Sequence, residues 1–338
     1  YYGMNTEYYM DLRPFVEADG VDLSTVLVDG MINGYYDPDG KLEGFPLLAN
    51  CFCVLYNKDM FDAAGVAYPE PGWTLEDLLD WGKAFVGGEG VNQTYAISRH
   101  WVTNSVMAYS GGSGPYSADL STSYFDSAEM LKSLQLYQQL VQGGYMPTDA
   151  AQQSVDAESL FISGRAAMYF VGGMHSQSTI EDSDESGINY GIAVMPSGVS
   201  DGKEINIQFA TGYAITKTAQ NPEAAWQFLK ESAYANDDMC KATCTSGMTS
   251  SKKIADEYFA NMTYGEKDFS NKIFVDHMGA THLFPFGGTL ASAGDIWATM
   301  VSAITDDAQD PAATQAEYAP RVAEEFASYD FNTAQGAN

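Results

Sequence analysis

The chain has 338 residues, 45% of them hydrophobic and 13% aromatic, so it can bury a sizeable core, and two domains are expected at this length. It carries 45 acidic and 16 basic residues, for a formal net charge of -29. Such a surface repels phosphate backbones and anionic headgroups, so neither nucleic-acid binding nor direct membrane binding is expected. No apolar run in the sequence approaches the roughly 18 residues that span a bilayer.

The first prominent element is an almost continuous apolar run from Leu47 to Tyr56, which follows a turn signal over residues 37–40. The run predicts one buried strand. Asn50 is its one clearly polar side chain, and a polar group in a buried strand needs a partner in the protein or in a ligand. A short helix is predicted next, after Asn57, and Gly65 is predicted to end it.

Helices and strands alternate through the rest of the sequence, which is the order of an α/β protein. Asn221-Pro222 is a strong helix start, with Ala225, Phe228 and Leu229 predicted to face inward. Further helices are predicted from Thr74, at about Thr103–Tyr109, from Ser127 to Gly143, and at 251–259, 269–275, 293–304 and 314–326. Strands are predicted at Tyr95–Ile97, Ala166–Val171 and Tyr190–Met195, with a further extended segment at Thr211–Ile215.

The four cysteines form two close pairs, Cys51 with Cys53 and Cys240 with Cys244. Each pair lies on one face of its predicted strand or helix. A four-thiolate metal site is conceivable, but C-x-C with C-x-x-x-C is not the usual zinc spacing. Buried free thiols or one disulfide are favoured, and no metal or other cofactor is predicted.

Five segments in register over most of the chain resemble the extracellular solute-binding proteins of carbohydrate ABC importers, the maltose-binding-protein-like family. They are 55–59 with 65–66, 73–79, 161–168, 212–215 and 221–229, reading LYNKD with GV, WTLEDLL, FISGRAAM, GYAI and NPEAAWQFL. The resemblance implies an α/β fold of two lobes, a type II periplasmic-binding-protein-like clamshell. A sugar would be clamped between the lobes.

The resemblance also implies where the chain crosses between the lobes. Residues 1–53 and 212–258 are predicted to form the first lobe, and residues 54–211 and 259–338 the second. The apolar run at 47–56 is then the first crossing, which places Asn50 at the cleft floor. Family members carry an amino-terminal βαβ segment before the point that matches Tyr1, so the first lobe is expected to lack it.

Ligand contacts are implied at the positions that match cleft residues of the family. Trp101 follows a predicted strand end where relatives present an aromatic residue, and core packing is the competing interpretation. Met174 stands where the family usually has tryptophan, although a thioether can still cover an apolar sugar face. Hinge geometry competes at Gly212, and a structural hydrogen bond competes at Asn50. Phe284 and Phe286 are added because they flank a proline in a glycine-rich loop, which favours binding over core packing. The candidates are Asn50, His100, Trp101, Gly173, Met174, His175, Thr211, Gly212, Tyr213, Gly247, Met248, Phe284 and Phe286.

The predicted function is that of an extracellular receptor, without enzymatic activity, that binds a carbohydrate and, by the resemblance, an oligosaccharide. It would deliver this ligand by hinge closure to the membrane permease subunits of an ABC importer. The resemblance implies a monomer that is periplasmic or anchored at the cell surface as a lipoprotein. The 22 tyrosines and 5 tryptophans suit stacking on neutral, hydroxyl-rich ligands.

Two alternatives stay open on the sequence. A glycoside hydrolase needs only two suitably placed carboxylates, which the 45 acidic residues could supply. The same clamshell could instead bind a metal, a polyamine or a peptide, because one fold hosts many ligands. The sequence contains no H-E-x-x-H, phosphate-loop or G-x-G-x-x-G motif, and its histidines at 100, 175, 277 and 282 are scattered.

Overall fold

The computed structural model describes residues 8–37, 40–111, 114–117, 122–171, 184–198, 204–205, 207–263, 270–277, 282–283 and 291–328. The strands are β1 Phe45–Cys51, β2 Cys53–Asn57, β3 Tyr95–Ile97, β4 Ala166–Val171, β5 Tyr190–Ala193, β6 Ile207–Tyr213, β7 Met248–Thr249 and β8 His282–Leu283. The helices are α1 Arg13–Asp19, α2 Leu23–Val26, α3 Lys58–Ala64, α4 Asp77–Phe85, α5 Trp101–Tyr109, α6 Ala128–Gln142, α7 Asp149–Ser154, α8 Ala157–Ile162, α9 Pro222–Lys230, α10 Asp237–Thr243, α11 Lys252–Glu257, α12 Lys272–Asp276, α13 Ala291–Thr305 and α14 Pro311–Ser328. The predicted α/β alternation is confirmed.

The strands within the described residues form two four-stranded sheets. The first has the order β7-β1-β6-β8 and the second has the order β3-β4-β2-β5. In the first sheet β1 runs antiparallel to β6 and β7, and β6 runs parallel to β8. In the second sheet β2 runs antiparallel to β4 and β5, and β3 runs parallel to β4.

The apolar run at 47–56, predicted to be one strand, is two strands that belong to different sheets. β1 ends at Cys51, β2 begins at Cys53, and Phe52 is the single residue between them. A largely apolar run of ten residues is longer than the usual strand of about five or six residues. The pairing partners, which are distant in sequence, decide where it divides.

Each sheet is covered by its own helices. Leu134 of α6, Trp297 of α13 and Val322 of α14 belong to the core cluster that contains Ile97 and Phe170 of the second sheet. A separate cluster joins Phe45 of β1 to Leu12 beside α1 and to Trp226 and Leu229 of α9. Each of these two clusters packs mainly on one sheet, and a third cluster contains residues of both β1 and β2 and so joins the two sheets.

Local signals place the helix ends correctly. The Asn57 side chain accepts a hydrogen bond from the Met60 N–H at the start of α3, and Gly65 ends that helix with a left-handed φ of 66°. Ser127 caps α6 through the Met130 N–H. Asn221 caps α9 through the Ala224 N–H, with Pro222 as its first residue. These contacts span only three residues each, so a short window of sequence contains them.

The inward face predicted for α9 is partly wrong. Phe228 is 52% exposed, whereas Trp226 is 4% exposed and packs edge-on against Phe45 at 5.1 Å. The Trp226 indole N–H also donates to Asp19 at 2.8 Å. The helix therefore turns its larger aromatic side chain inward, where its N–H has a partner.

Two segments near the predicted lobe boundaries pair in the first sheet. β6 pairs along β1, so residues 207–211, assigned to the second lobe from the sequence, lie in the first sheet. β8 pairs with β6, and Phe259 and Phe274 pack in one cluster with Ile254 of α11. β8 thus belongs to the first sheet, whereas Phe259 and Phe274 lie in a cluster that contains residues of both sheets, among them Ala49 of β1 and Leu55 of β2. The boundaries depend on strand pairing, which a local pattern does not encode.

Three of the four cysteines are described as buried free thiols: Cys53, Cys240 and Cys244. Burial raises the pKa of Cys244 to about 11, because an apolar surrounding disfavours the thiolate. Within the described residues no set of three or more His, Cys, Asp or Glu side chains could hold a metal ion. No described helix has the length and apolar character needed to cross a membrane.

Candidate functional site

Three chain segments meet at one edge of the second sheet. β3 and β4 run parallel, with Ile97 opposite Met168, so their carboxyl ends share an edge. β2 runs against β4, with Cys53 opposite Val171, so its first residue lies at the same edge. The crossing at Phe52 and the residues that follow Ile97 are therefore brought together there.

Trp101 is the first residue of α5 at this edge and is 48% exposed. Its ring packs edge-on against Phe52, with centroids 5.7 Å apart and planes at 78°. By comparison, Trp297, which packs in the core against Phe125, is 1% exposed. The indole of Trp101 therefore offers an accessible aromatic surface beside the crossing between the sheets.

His100 caps α5, and both nitrogens of its ring are engaged within the protein. Nδ1 accepts from the Val102 N–H at 3.5 Å, and Nε2 lies 2.5 Å from the Phe170 carbonyl oxygen, to which it donates in the neutral ring. Burial lowers the pKa of His100 to about 4, so the ring is neutral at pH 7. His100 thus orients the start of α5 and joins it to β4.

Arg99 connects β3 to His100 and points into the protein, where it is 2% exposed. Its guanidinium donates to the Tyr137 hydroxyl at 3.0 Å and to the Thr305 hydroxyl at 3.1 Å. It forms ion pairs with Asp149 at 3.1 Å and with Asp306 at 3.0 Å. This Arg99 network anchors the loop before Trp101 to α6, α7 and the end of α13.

The candidates of the first sheet divide into two groups, and the first lies near the crossing. Asn50 lies in β1, two residues before Phe52, and its backbone pairs with Phe209 of β6. Met248 pairs with Ala49 but is 1% exposed and packs in the cluster that contains Cys240 and Cys244. Gly247 is also buried. The Met248 side chain thus contributes to the core.

The second group, Thr211, Gly212 and Tyr213, leads away from the crossing. Tyr213 pairs with Phe45 at the opposite end of β1, about 20 Å from Cys51 along the strand. It is 52% exposed and contacts Phe228 of α9, with ring centroids 6.2 Å apart. The structure therefore does not bring Tyr213 together with Trp101.

Gly212 has a packing requirement of its own. A Cβ atom at this position would lie 2.1 Å from the carbonyl oxygen of Phe45 and 2.5 Å from the hydroxyl of Tyr35. β1 is irregular opposite this point, with a register shift between Pro46 and Leu48. Close approach of the backbone thus accounts for the glycine.

Five predicted contacts, Gly173, Met174, His175, Phe284 and Phe286, lie outside the described residues. Val171, the last described residue before the first three of them, ends β4 at the same sheet edge as Trp101.

Sequence reasoning missed two residues of this edge. The apolar pattern predicts Phe52 within one continuous strand, although the length of the run is a signal that it contains a break. Tyr169 of β4 contacts His100, with ring centroids 5.0 Å apart. Strand alternation alone did not indicate this contact.

A cavity of about 460 Å³ lies elsewhere, between α1, α2 and the turn that follows α2. Its lining includes Val16, Leu27, Ile32 and Tyr36, and none of the predicted ligand contacts belongs to it. The cavity is therefore distinct from the edge that carries Trp101.

Curated relatives match part of the chain. A protein of Brucella abortus (strain 2308), named only as a binding protein, is 25% identical over 231 residues, which are 66% of this chain and 54% of that protein. The maltotriose-binding protein of Pyrococcus abyssi is 26% identical over 204 residues, 56% of this chain and 40% of that protein. The chain spans about half the length, or less, of these curated relatives.

Solved structures match nearly the whole chain. An ABC substrate-binding protein from Listeria monocytogenes in complex with cycloalternan has a TM-score of 0.80 at 20% identity, covering 95% of this chain and 81% of that chain. A maltose-bound protein of T. maritima has a TM-score of 0.71 at 15% identity, covering 94% and 81%. These likenesses confirm the predicted two-lobed periplasmic-binding-protein-like fold.

The family assignment comes from the sequence match. A family model described as bacterial extracellular solute-binding protein matches residues 5–262, well over half of the chain. This match agrees with the fold of the solved neighbours and with the resemblance found in the sequence motifs. The chain therefore belongs to the bacterial extracellular solute-binding protein family.

Proposed function

We propose that this protein is an extracellular receptor that binds an oligosaccharide and delivers it to an ABC importer. The observation that carries the proposal is the half-exposed indole of Trp101 beside the crossing between the two sheets. An aromatic ring can stack on the C–H face of a sugar while neighbouring polar groups bind its hydroxyls. The names of the maltotriose-binding relative and of the cycloalternan complex support the same ligand class.

The mechanism follows from the arrangement of the two sheets. A ligand that contacts both sides of the crossing favours the closed arrangement over the open one, because only closure satisfies both sets of contacts. Hinge residues at the crossings, of which Phe52 is one, absorb the change in backbone angles. The importer's permease subunits would then recognise the closed form. In this role the protein is a monomer at the outer face of the membrane, periplasmic or anchored as a lipoprotein.

A thermal-shift screen tests the ligand class. Maltotriose, mannobiose, cycloalternan and monosaccharides would be compared with divalent metals, polyamines and short peptides. A ligand at about a hundred times its dissociation constant adds roughly 2.7 kcal/mol to the free energy of unfolding, which raises Tm measurably. We expect an oligosaccharide to raise Tm and to be recovered intact after long incubation. Cleavage of the sugar would identify a hydrolase, and a response only to a metal, polyamine or peptide would refute the sugar class.

Trp101→Ala tests the residue that carries the proposal. We expect oligosaccharide affinity to fall by about 1–2 kcal/mol, roughly a tenfold loss, because the stacking surface is removed. Phe228→Ala is the matched control, since Phe228 is 52% exposed and lies on α9, away from the crossing. Calorimetric titration of both variants measures the difference. Equal oligosaccharide affinity in wild type and Trp101→Ala would show that Trp101 does not contact the ligand.

A further inference from the structure

Phe52 occupies the one position that separates the two sheets along the first crossing. Its backbone N–H donates to the carbonyl of Ile207 at 3.2 Å. Ile207 is the first residue of β6, where the chain joins the first sheet again. The two crossing segments are thus hydrogen-bonded to each other at Phe52.

The side chain of Phe52 packs in the core on the second sheet. It is 3% exposed and belongs to the core cluster that includes Val102 and Val106 of α5. It presents its ring edge-on to Trp101 at 5.7 Å. One residue therefore has its backbone in the hinge and its ring against the accessible indole.

The start of α5 is fixed independently of Phe52. His100 joins it to the Phe170 carbonyl, and the buried Arg99 network holds the preceding residue. The backbone of Trp101 consequently has little freedom, and the orientation of its indole depends on the rings that flank it. Phe52 is such a ring, and its backbone lies at the crossing between the sheets.

We propose that Phe52 is a positioning residue, which orients the Trp101 indole for ligand and couples that orientation to the crossing between the sheets. This inference rests on the proposed function for its ligand, but the ring-to-ring contact can be tested without one. An edge-on aromatic pair contributes about 0.5–1.5 kcal/mol beyond the area it buries. The loss of positioning should therefore weaken binding about two- to tenfold.

The test replaces Phe52 by Leu and, as a second variant, by Met, since both keep apolar volume but remove the ring. Phe61→Leu is the matched control, because Phe61 is 0% exposed and belongs to the same core cluster. The aromatic rings that it contacts are those of Tyr56, Tyr68, Trp81 and Phe85. Each variant is also made in a Trp101→Phe background. For each variant, subtracting the fluorescence of the protein with Trp101→Phe from that of the protein with Trp101 leaves the signal of Trp101 alone.

In ligand-free protein, we expect acrylamide to quench Trp101 more strongly in Phe52→Leu and Phe52→Met than in wild type or Phe61→Leu. With maltotriose, or with whichever oligosaccharide raises Tm most in the screen, affinity should fall two- to tenfold in the Phe52 variants only. That loss should disappear in the Trp101→Phe background. Together these results would support positioning through Trp101.

Other outcomes overturn the inference. Equal changes in Phe52→Leu and Phe61→Leu would mean that general loss of core packing is responsible. An affinity loss that persists in the Trp101→Phe background would mean that Phe52 acts by another route. If no oligosaccharide binds to wild type, the proposed function fails, while the quenching comparison still decides whether Phe52 positions the indole.

Discussion

At the scale of single residues, Gly212 shows how packing can explain a residue that also matches a functional position. Gly212→Ala should destabilise the protein by about 1–3 kcal/mol, because the added methyl group would overlap the Phe45 carbonyl and the Tyr35 hydroxyl. Gly34→Ala is the control, since a Cβ there has nothing within 4 Å. Urea unfolding measures both. Equal midpoints in the two variants would contradict the close approach.

His100 predicts a pH dependence at the same scale. Its pKa is about 4 in the folded protein, against an ordinary value of 6.5. Between these two pH values His100 is therefore protonated in the unfolded chain and neutral in the folded protein. The contribution of His100 to the free energy of unfolding is therefore fully present above pH 6.5 and is lost progressively as the pH falls towards 4. Between pH 7 and about pH 5.5, His100 should account for a loss of about 1 kcal/mol.

His100→Asn isolates this effect, because asparagine can still cap a helix but does not titrate. The difference in unfolding free energy between the two pH values should be smaller in the variant by about 1 kcal/mol. Denaturant titrations of both proteins at both pH values provide the comparison. An identical pH dependence would show that His100 is protonated equally in the folded and unfolded states.

At the scale of secondary-structure elements, the Arg99 network joins the β3–α5 connection to α6, α7 and the end of α13. Arg99→Met should cost about 3–5 kcal/mol, because it leaves the carboxylates of Asp149 and Asp306 without their cation. The Asp306 side chain is only 17% exposed, so most of the cost is expected from its carboxylate, whereas the Asp149 side chain is 44% exposed and can be partly solvated by water. Chemical unfolding of the variant measures the loss.

A surface ion pair provides the control for Arg99. Arg321 and Glu317 lie 3.3 Å apart on α14, with side chains 54% and 58% exposed. Arg321→Met should change stability by no more than about 0.5 kcal/mol. If both methionine variants lose the same stability, the burial of the Arg99 charge has no particular importance.

At the scale of the whole molecule, the net charge of -29 opposes compaction through self-repulsion. Raising the salt concentration from about 0.01 M to 0.15 M shortens the screening length from about 30 Å to 8 Å. Tm at neutral pH should therefore rise over this range. The rise should be smaller near pH 5, because the net charge falls towards the pI of about 4.1. Melting curves at both pH values test this, and a salt-independent Tm at pH 7 would refute it.

The sequence alone determined the local features and the family. Helix starts and stops such as Asn57 with Gly65, Ser127, and Asn221 with Pro222 were predictable because each contact lies within one helical turn. The α/β alternation and the two-lobed fold followed from motifs in register along the chain. Trp101 was also a candidate from its place after a strand, although the sequence left core packing open.

Only the tertiary structure decided what depends on distant partners. The break at Phe52 exists because β1 pairs with β6 and β7, whereas β2 pairs with β4 and β5. The same antiparallel pairing moves Tyr213 away from Trp101, and the packing of α9 on Phe45 buries Trp226 instead of Phe228. A local pattern records side-chain polarity and spacing. It contains no information on which distant strand or helix will cover each face, and that choice positions the candidate site.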